Sequence, residues 1–110
     1  MNKYILIYNG QATDMSDMTE AQGAAIMEGW KVWMGKVGDA LINVGAPMTP
    51  NGTALVDDGS TRDPAPLSGY SIIQANSLED AKALTEGHPF LSKGQGNFSV
   101  DIYELTDPPF

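Results

Sequence analysis

Gly69-Tyr70-Ser71-Ile72-Ile73-Gln74-Ala75, followed after Asn76 by Ser77-Leu78-Glu79-Asp80, carries the reading of the fold. The first run is aromatic and β-branched, which suits a strand on a pleated, half-buried surface. It leads directly into a serine with the character of a helix N-cap, and the two acids behind it fall in a first turn, where the helix dipole favours negative charge. A helix is therefore expected from about Leu78, with Leu78, Ala81 and Leu84 on one face. It must finish by Gly87-His88-Pro89, because proline cannot continue it. Beyond it, Phe98 to Leu105 alternates with period two over its first half and reads as the last strand.

Working upstream, Tyr4 to Tyr8 is apolar at both parities and reads as a first strand covered on both faces, ending at Asn9-Gly10. Thr19-Glu20-Ala21-Gln22 has the spacing of a capping box, so a helix starts there. Met27, Trp30, Trp33 or Met34, and Val37 recur at three- and four-residue steps along it, and Gly38 is its natural stop. Leu41–Val44 and Thr53–Val56 read as two short strands on either side of a turn containing Pro47, Pro50 and Asn51-Gly52, paired as a hairpin. The order is then β-α-β-β-β-α-β. That is an α+β fold, the ferredoxin-like split β-α-β with one extra hairpin strand, in which two helices cover one face of an antiparallel sheet. The other face carries apolar residues and lacks a cover, so a second copy of the chain is expected against it, making a homodimer.

All 110 residues read as a single domain, with no internal repeat. Six Lys and Arg against fourteen Asp and Glu leave a net charge of −8, which repels phosphate backbones and anionic membranes, so neither nucleic acid nor a membrane is an expected partner. The absence of Cys excludes disulfides, thiolate metal sites and a cysteine nucleophile, and the single His excludes a three-histidine centre. Asp57, Asp58 and Asp63 lack the ordered spacing of a calcium loop, so no metal is expected. Gly94-Gln95-Gly96 precedes a strand instead of following one and has no third glycine, so no phosphate-cradling loop and no cofactor is read either. The apolar run at the N-terminus is shorter than the roughly 7–15 residues of a signal-peptide core, and a cytoplasmic location is expected.

Several segments, in order and spacing, resemble the YCII-related family: Tyr4 to Tyr8, Trp33-Met34-Gly35-Lys36-Val37-Gly38-Asp39-Ala40-Leu41, Gly45-Ala46-Pro47, Gly69 to Ala75, Ser77 to Ala81, and Gly87-His88-Pro89-Phe90. The similarity spans nearly the whole chain and implies a dimeric α+β barrel. The chain looks most like the branch carrying the DGPF signature but lacks that signature, and its Asp107-Pro108-Pro109-Phe110 tail is a coincidence of letters. Many YCII-type members carry Asp-Pro-Phe after the second helix and a His on the first, a pair proposed to act in catalysis. This chain has His88-Pro89-Phe90 at the former position and no His on its first helix, so a His–Asp dyad does not carry over.

His88 is the one side chain with an ordinary pKa near neutrality, which makes it the candidate general acid or base. The plainer alternative has Gly87 making the left-handed turn and His88 bonding the last free helix carbonyls. Which residue fixes its tautomer, whether Asp39, Tyr70 or Tyr8, stays open at this stage. Tyr8 and Tyr70 are candidates to hold a substrate oxygen, and Trp30, Trp33 and Met34 to form an apolar wall, although the same helical spacing also suits plain core packing. Gly23, Gly29 and Gly35, six residues apart, suit close packing against the helix backbone. The expected function is binding of a small, partly apolar metabolite between sheet and helices, with cofactor-free isomerase or lyase chemistry through His88. The alternative is a non-catalytic dimerisation or ligand-sensing module.

Overall fold

In the computed structural model, which describes residues 1–10, 19–91 and 96–108, the first strand lies inside the sheet and organises everything else. β1 (Asn2–Asn9) is flanked on one side by β5 (Leu67–Ala75) and on the other by β6 (Ser99–Leu105), both antiparallel to it, while β2 (Leu41–Asn43) pairs with the outer side of β5. The sheet order is β2-β5-β1-β6, the antiparallel arrangement of the split β-α-β unit. Register sorts the faces: Tyr4 stands opposite Ile73, Leu6 opposite Ser71 and Ile102, and Tyr8 opposite Gly69 and Val100. Tyr4, Leu6, Tyr8, Ile73 and Ala75 form the buried core together with Trp33 and Val37 of α1 (Glu20–Val37) and Ala81 of α2 (Leu78–Thr85), so both helices cover this one face. The sheet is open within one chain.

The helix ends follow the local sequence. Gln22 N–H donates to Thr19 Oγ1 at 3.1 Å while Thr19 N–H donates to Gln22 Oε1 at 3.0 Å, a reciprocal capping box, and Gly38 closes α1 with φ of +57°. Ser77 Oγ accepts from Asp80 N–H at 3.2 Å to start α2. The two helices are then tied where α2 stops. Its last carbonyls have no partner within the helix; Leu84 O accepts from Trp33 Nε1 at 3.0 Å, and Ala83 O and Glu86 O accept from Lys36 Nζ at 3.0 and 2.5 Å. Three donated bonds from α1 thus fix the point from which the chain enters Gly87 and His88.

β3 (Ala54–Leu55) does not pair with β2 as a hairpin; it pairs with β4 (Thr61–Arg62) in a separate two-stranded ribbon. The physical reason is that the chain leaving β2 is held against β5: Met48 N–H donates to Ser68 O at 2.9 Å, Pro47 bridges Gly69, and Gly45 approaches so closely that a Cβ there would sit 1.7 Å from Tyr70 O. Only glycine fits this position, at φ of +79°. The partner of β3 is instead supplied locally, by a turn in which Asp58 Oδ1 accepts from both Ser60 N–H and Ser60 Oγ. Those bonds also lower the Asp58 pKa, and they give that carboxylate a structural role in the turn.

The apolar stripes are shorter than the sequence pattern. Met27 and Leu78 are exposed; burial begins at Trp30 on α1 and uses Ala81, Leu84 and Thr85 on α2. Of the spaced glycines, Gly29 meets the Pro89 ring, where a Cβ would sit at 3.1 Å, whereas Gly23 and Gly35 have nothing within 4 Å. Gly94, Gln95, Pro109 and Phe110 lie outside the described residues.

Candidate functional site

The single histidine sits one residue past the left-handed Gly87, whose φ is +80°. Its backbone N–H closes on Thr85 O at 3.1 Å, completing the end of α2, but its ring does not bond the helix carbonyls. It turns inward and is 1% exposed. There it is surrounded by rings, with centroid distances of 4.3 Å to Trp33, 4.7 Å to Trp30 and 4.8 Å to Tyr8. Phe90, on the short 3₁₀ turn Pro89–Leu91, has its ring 5.3 Å from that of Tyr8, tilted by 33°.

The hydrogen bonds of this ring decide its proton. Phe90 N–H lies 3.0 Å from Nδ1, and a backbone amide can only donate, so Nδ1 carries the lone pair. His88 is therefore neutral, with its proton on Nε2, which donates to Tyr8 Oη at 3.0 Å. Tyr8 must then spend its own proton elsewhere, and Ser71 Oγ stands 2.5 Å away. Ser71 donates in turn to Val44 O at 2.7 Å. The result is a one-way chain, His88 to Tyr8 to Ser71 to a backbone carbonyl, in which every donor is used. Among the described residues no buried side-chain nitrogen or oxygen lacks a partner.

Burial shapes the titration of both ionisable members. It pushes the His88 pKa down from 6.5 to about 4, because an imidazolium in this apolar cage loses its hydration. It pushes the Tyr8 hydroxyl up to about 12, only partly offset by the Ser71 hydrogen bond, which favours the phenolate. Both groups are neutral at neutral pH.

Of the residues singled out from sequence, Tyr8, Trp30, Trp33 and His88 are brought together, and Met34 packs half-buried against the same core. Tyr70 is not among them. It stands opposite Ile7 in the β1–β5 ladder, so it shares the open face of the sheet with Ile5, Ile7 and Ile72 and not the helix-covered face with Tyr8. The tautomer question resolves to Tyr8, since the other ring nitrogen is taken by Phe90 and neither Asp39 nor Tyr70 orients the ring. Two members were missed. Ser71 carried a signal, being a hydroxyl at the same parity as the core residues Ile73 and Ala75, and buried hydroxyls have partners. Phe90 N–H carried none beyond its place two residues after His88.

Chemically, the ring offers one basic atom, Nδ1, aimed at the Pro89–Leu91 turn, with its far nitrogen anchored. Trp30, beside the ring, and Phe90, beside Tyr8, are half-buried, and Met34 is half-buried against the same core. Among the described residues no group of three or more His, Asp or Glu side chains converges as a metal site, and no helix is long and apolar enough to cross a membrane.

No family model matches the chain, and no curated protein does. Among solved structures it is similar to the 5-chloro-2-hydroxyhydroquinone dehydrochlorinase TftG from Burkholderia phenoliruptrix AC1100, determined in complex with 2,5-dihydroxybenzoquinone. The TM-score is 0.54 at 19% sequence identity, over 96% of this chain and 95% of that one. The two chains share an α+β fold.

Proposed function

We propose that this protein is a YCII-related homodimer of the cytoplasm that binds a small, partly apolar metabolite beside His88 and moves a proton on it without a cofactor, as an isomerase or lyase. The observation that carries this reading is a neutral, caged imidazole whose one lone pair is held in place by the anchored Nε2–H. In this account the ligand takes the position of the Phe90 N–H at Nδ1, lying against Trp30, Met34 and Phe90. His88 Nδ1 receives a proton from the substrate, and Tyr8 Oη steadies the resulting imidazolium by accepting from Nε2–H. The proton then returns to a different substrate atom, or to a leaving group. Trp33 is the floor of the cage.

The low pKa of His88 narrows the ligand class. A base at about 4 is weak at neutral pH, but an anionic ligand in contact with the ring favours the imidazolium and raises that value. An acidic hydroxyl on a flat ring or enone fits this need, and the hydroxylated quinone bound by the fold neighbour has that character. The second copy covers the open sheet face, where Ile5, Ile7, Tyr70 and Ile72 are half-buried and Tyr103 is exposed. A monomeric mass across micromolar concentrations in sedimentation contradicts that part of the reading.

The test is an NMR titration of the His88 ring signals alone and with pools of carboxylates, lactones and phenols. A rise in the His88 pKa with the acidic phenols supports the proposal. A titration untouched by every pool favours a second reading, a non-catalytic dimerisation or ligand-sensing module. One observation speaks for it: both ring nitrogens are already engaged. Once a substrate is found, His88→Ala abolishes turnover while retaining the dimer on the first reading, and leaves the rate unchanged on the second.

A further inference from the structure

The sequence contains two Asn-Gly pairs, Asn9-Gly10 and Asn51-Gly52, and the fold treats them oppositely. We propose that Asn51 is a site of spontaneous deamidation and that Asn9 is protected from it. In this reaction the Gly52 backbone nitrogen bonds to the side-chain carbonyl carbon of Asn51, losing its proton, while the bond from that carbon to Nδ2 breaks and ammonia leaves. Water then opens the five-membered imide at either carbonyl, giving aspartate or isoaspartate. Water is the only co-reactant.

Ring closure needs three things: an unhindered following nitrogen, freedom to turn the asparagine backbone, and access for water. Asn51-Gly52 has all three. Both residues are exposed, neither belongs to a strand or helix, and the segment is closed only by short-range bonds, Asn51 N–H to Thr49 Oγ1 at 3.3 Å and Gly52 N–H to Pro50 O at 3.1 Å. Gly52 has no side chain to block the approach, and a Cβ there would meet the Pro64 ring at 3.5 Å.

Asn9 fails on each count. It ends β1 and is paired on both sides, with Leu67 of β5 and Ser99 of β6, so its backbone cannot rotate without breaking two ladders. Its Nδ2 donates to Asp101 Oδ2 at 3.2 Å. The nitrogen that would attack is held across the fold, since Gly10 N–H donates to Pro66 O at 2.7 Å, whereas the Gly52 N–H bond to Pro50 O at 3.1 Å closes only within its own turn, and Gly10 is buried against the Phe98 ring. Reaction at Asn51 changes the net charge from −8 to −8 − 1 = −9.

The experiment is prolonged incubation of the folded protein at mildly alkaline pH, followed by peptide mapping by mass spectrometry with enzymatic labelling of isoaspartate. The expected result is a gain of about 1 Da, with isoaspartate, confined to the peptide holding Asn51, while the Asn9 peptide changes only when the protein is unfolded. The Gly52→Ala variant, whose added Cβ makes ordinary contact with Pro64, slows the change at residue 51 and keeps the fold. An unmodified Asn51 in folded protein, or equal rates at the two sites, overturns the proposal.

Discussion

Replacing Tyr8 with Phe removes one oxygen and nothing else from the buried cage, which makes it the sharpest probe of the hydrogen-bonded chain. The ring contacts with Trp30, His88 and Phe90 stay. His88 Nε2–H then has no acceptor inside an environment where the residue is 1% exposed, and Ser71 loses its donor while keeping its own bond to Val44 O. A buried donor left unsatisfied costs about 1–3 kcal/mol. In a chain of this size that corresponds to a fall in Tm of roughly 5–15 °C. The assay is urea denaturation, with the midpoint shifted and the slope unchanged, so that the loss reads as stability and not as a different unfolded state. Ser71→Ala strands the Tyr8 hydroxyl in the same way, but in the Tyr8→Phe background there is no hydroxyl left to strand. The two changes are therefore less than additive, with a coupling of about 1 kcal/mol or more. A Tyr8→Phe protein within about 0.5 kcal/mol of the wild type refutes the reasoning, since that is the range of substitutions that touch nothing special.

The folded-state pKa of His88 lies below its unfolded value, so between about 6.5 and 4 the unfolded chain binds the extra proton; stability is fully present above that window and is lost as pH falls through it. Between pH 7 and 5 this amounts to roughly 2 kcal/mol; the slope is measured by denaturation at each pH and is expected to be much flatter in His88→Gln. Gly35→Ala, in the interior of α1 with nothing within 4 Å, stabilises by about 0.5–1 kcal/mol. Gly45→Ala, at φ of +79° against the Tyr70 carbonyl, destabilises by more than that or prevents folding, as thermal melts of the two variants would show.

The parts of this fold that were legible in sequence are those decided within a few residues. The capping box at Thr19, the stop at Gly38 and the step from Ala75 through Ser77 into α2 involve only neighbours along the chain, and each stands where the residues placed it. The partner of β3 was not legible, because it depends on how Gly45 to Met48 is held against β5, some twenty residues further on. Nor does a helical stripe say how far the core extends beneath it, which is why Met27 and Leu78 are exposed at the ends of otherwise correct faces.

The site divides along the same line. The solitary imidazole was legible by residue type, and the aromatic stripe of Trp30 and Trp33 by spacing. The inward turn of the ring and its anchor were not, since Tyr8 lies eighty residues away in sequence. Tyr70 was a candidate by residue type, but its face was not decided by the pattern, since each parity of its strand mixes apolar and polar residues: Tyr70 and Ile72 with Gln74, and Ile73 and Ala75 with Ser71.

The measurement that tests the account most directly is a long-range proton–nitrogen correlation spectrum of the His88 ring at neutral pH, where a single histidine needs no assignment. The account predicts a neutral ring protonated on Nε2, with an unprotonated Nδ1 that accepts from Phe90 N–H, titrating near 4 and moved upward by acidic phenols. A ring protonated on Nδ1, or one that titrates near its ordinary 6.5, contradicts both the buried chain and the function built on it.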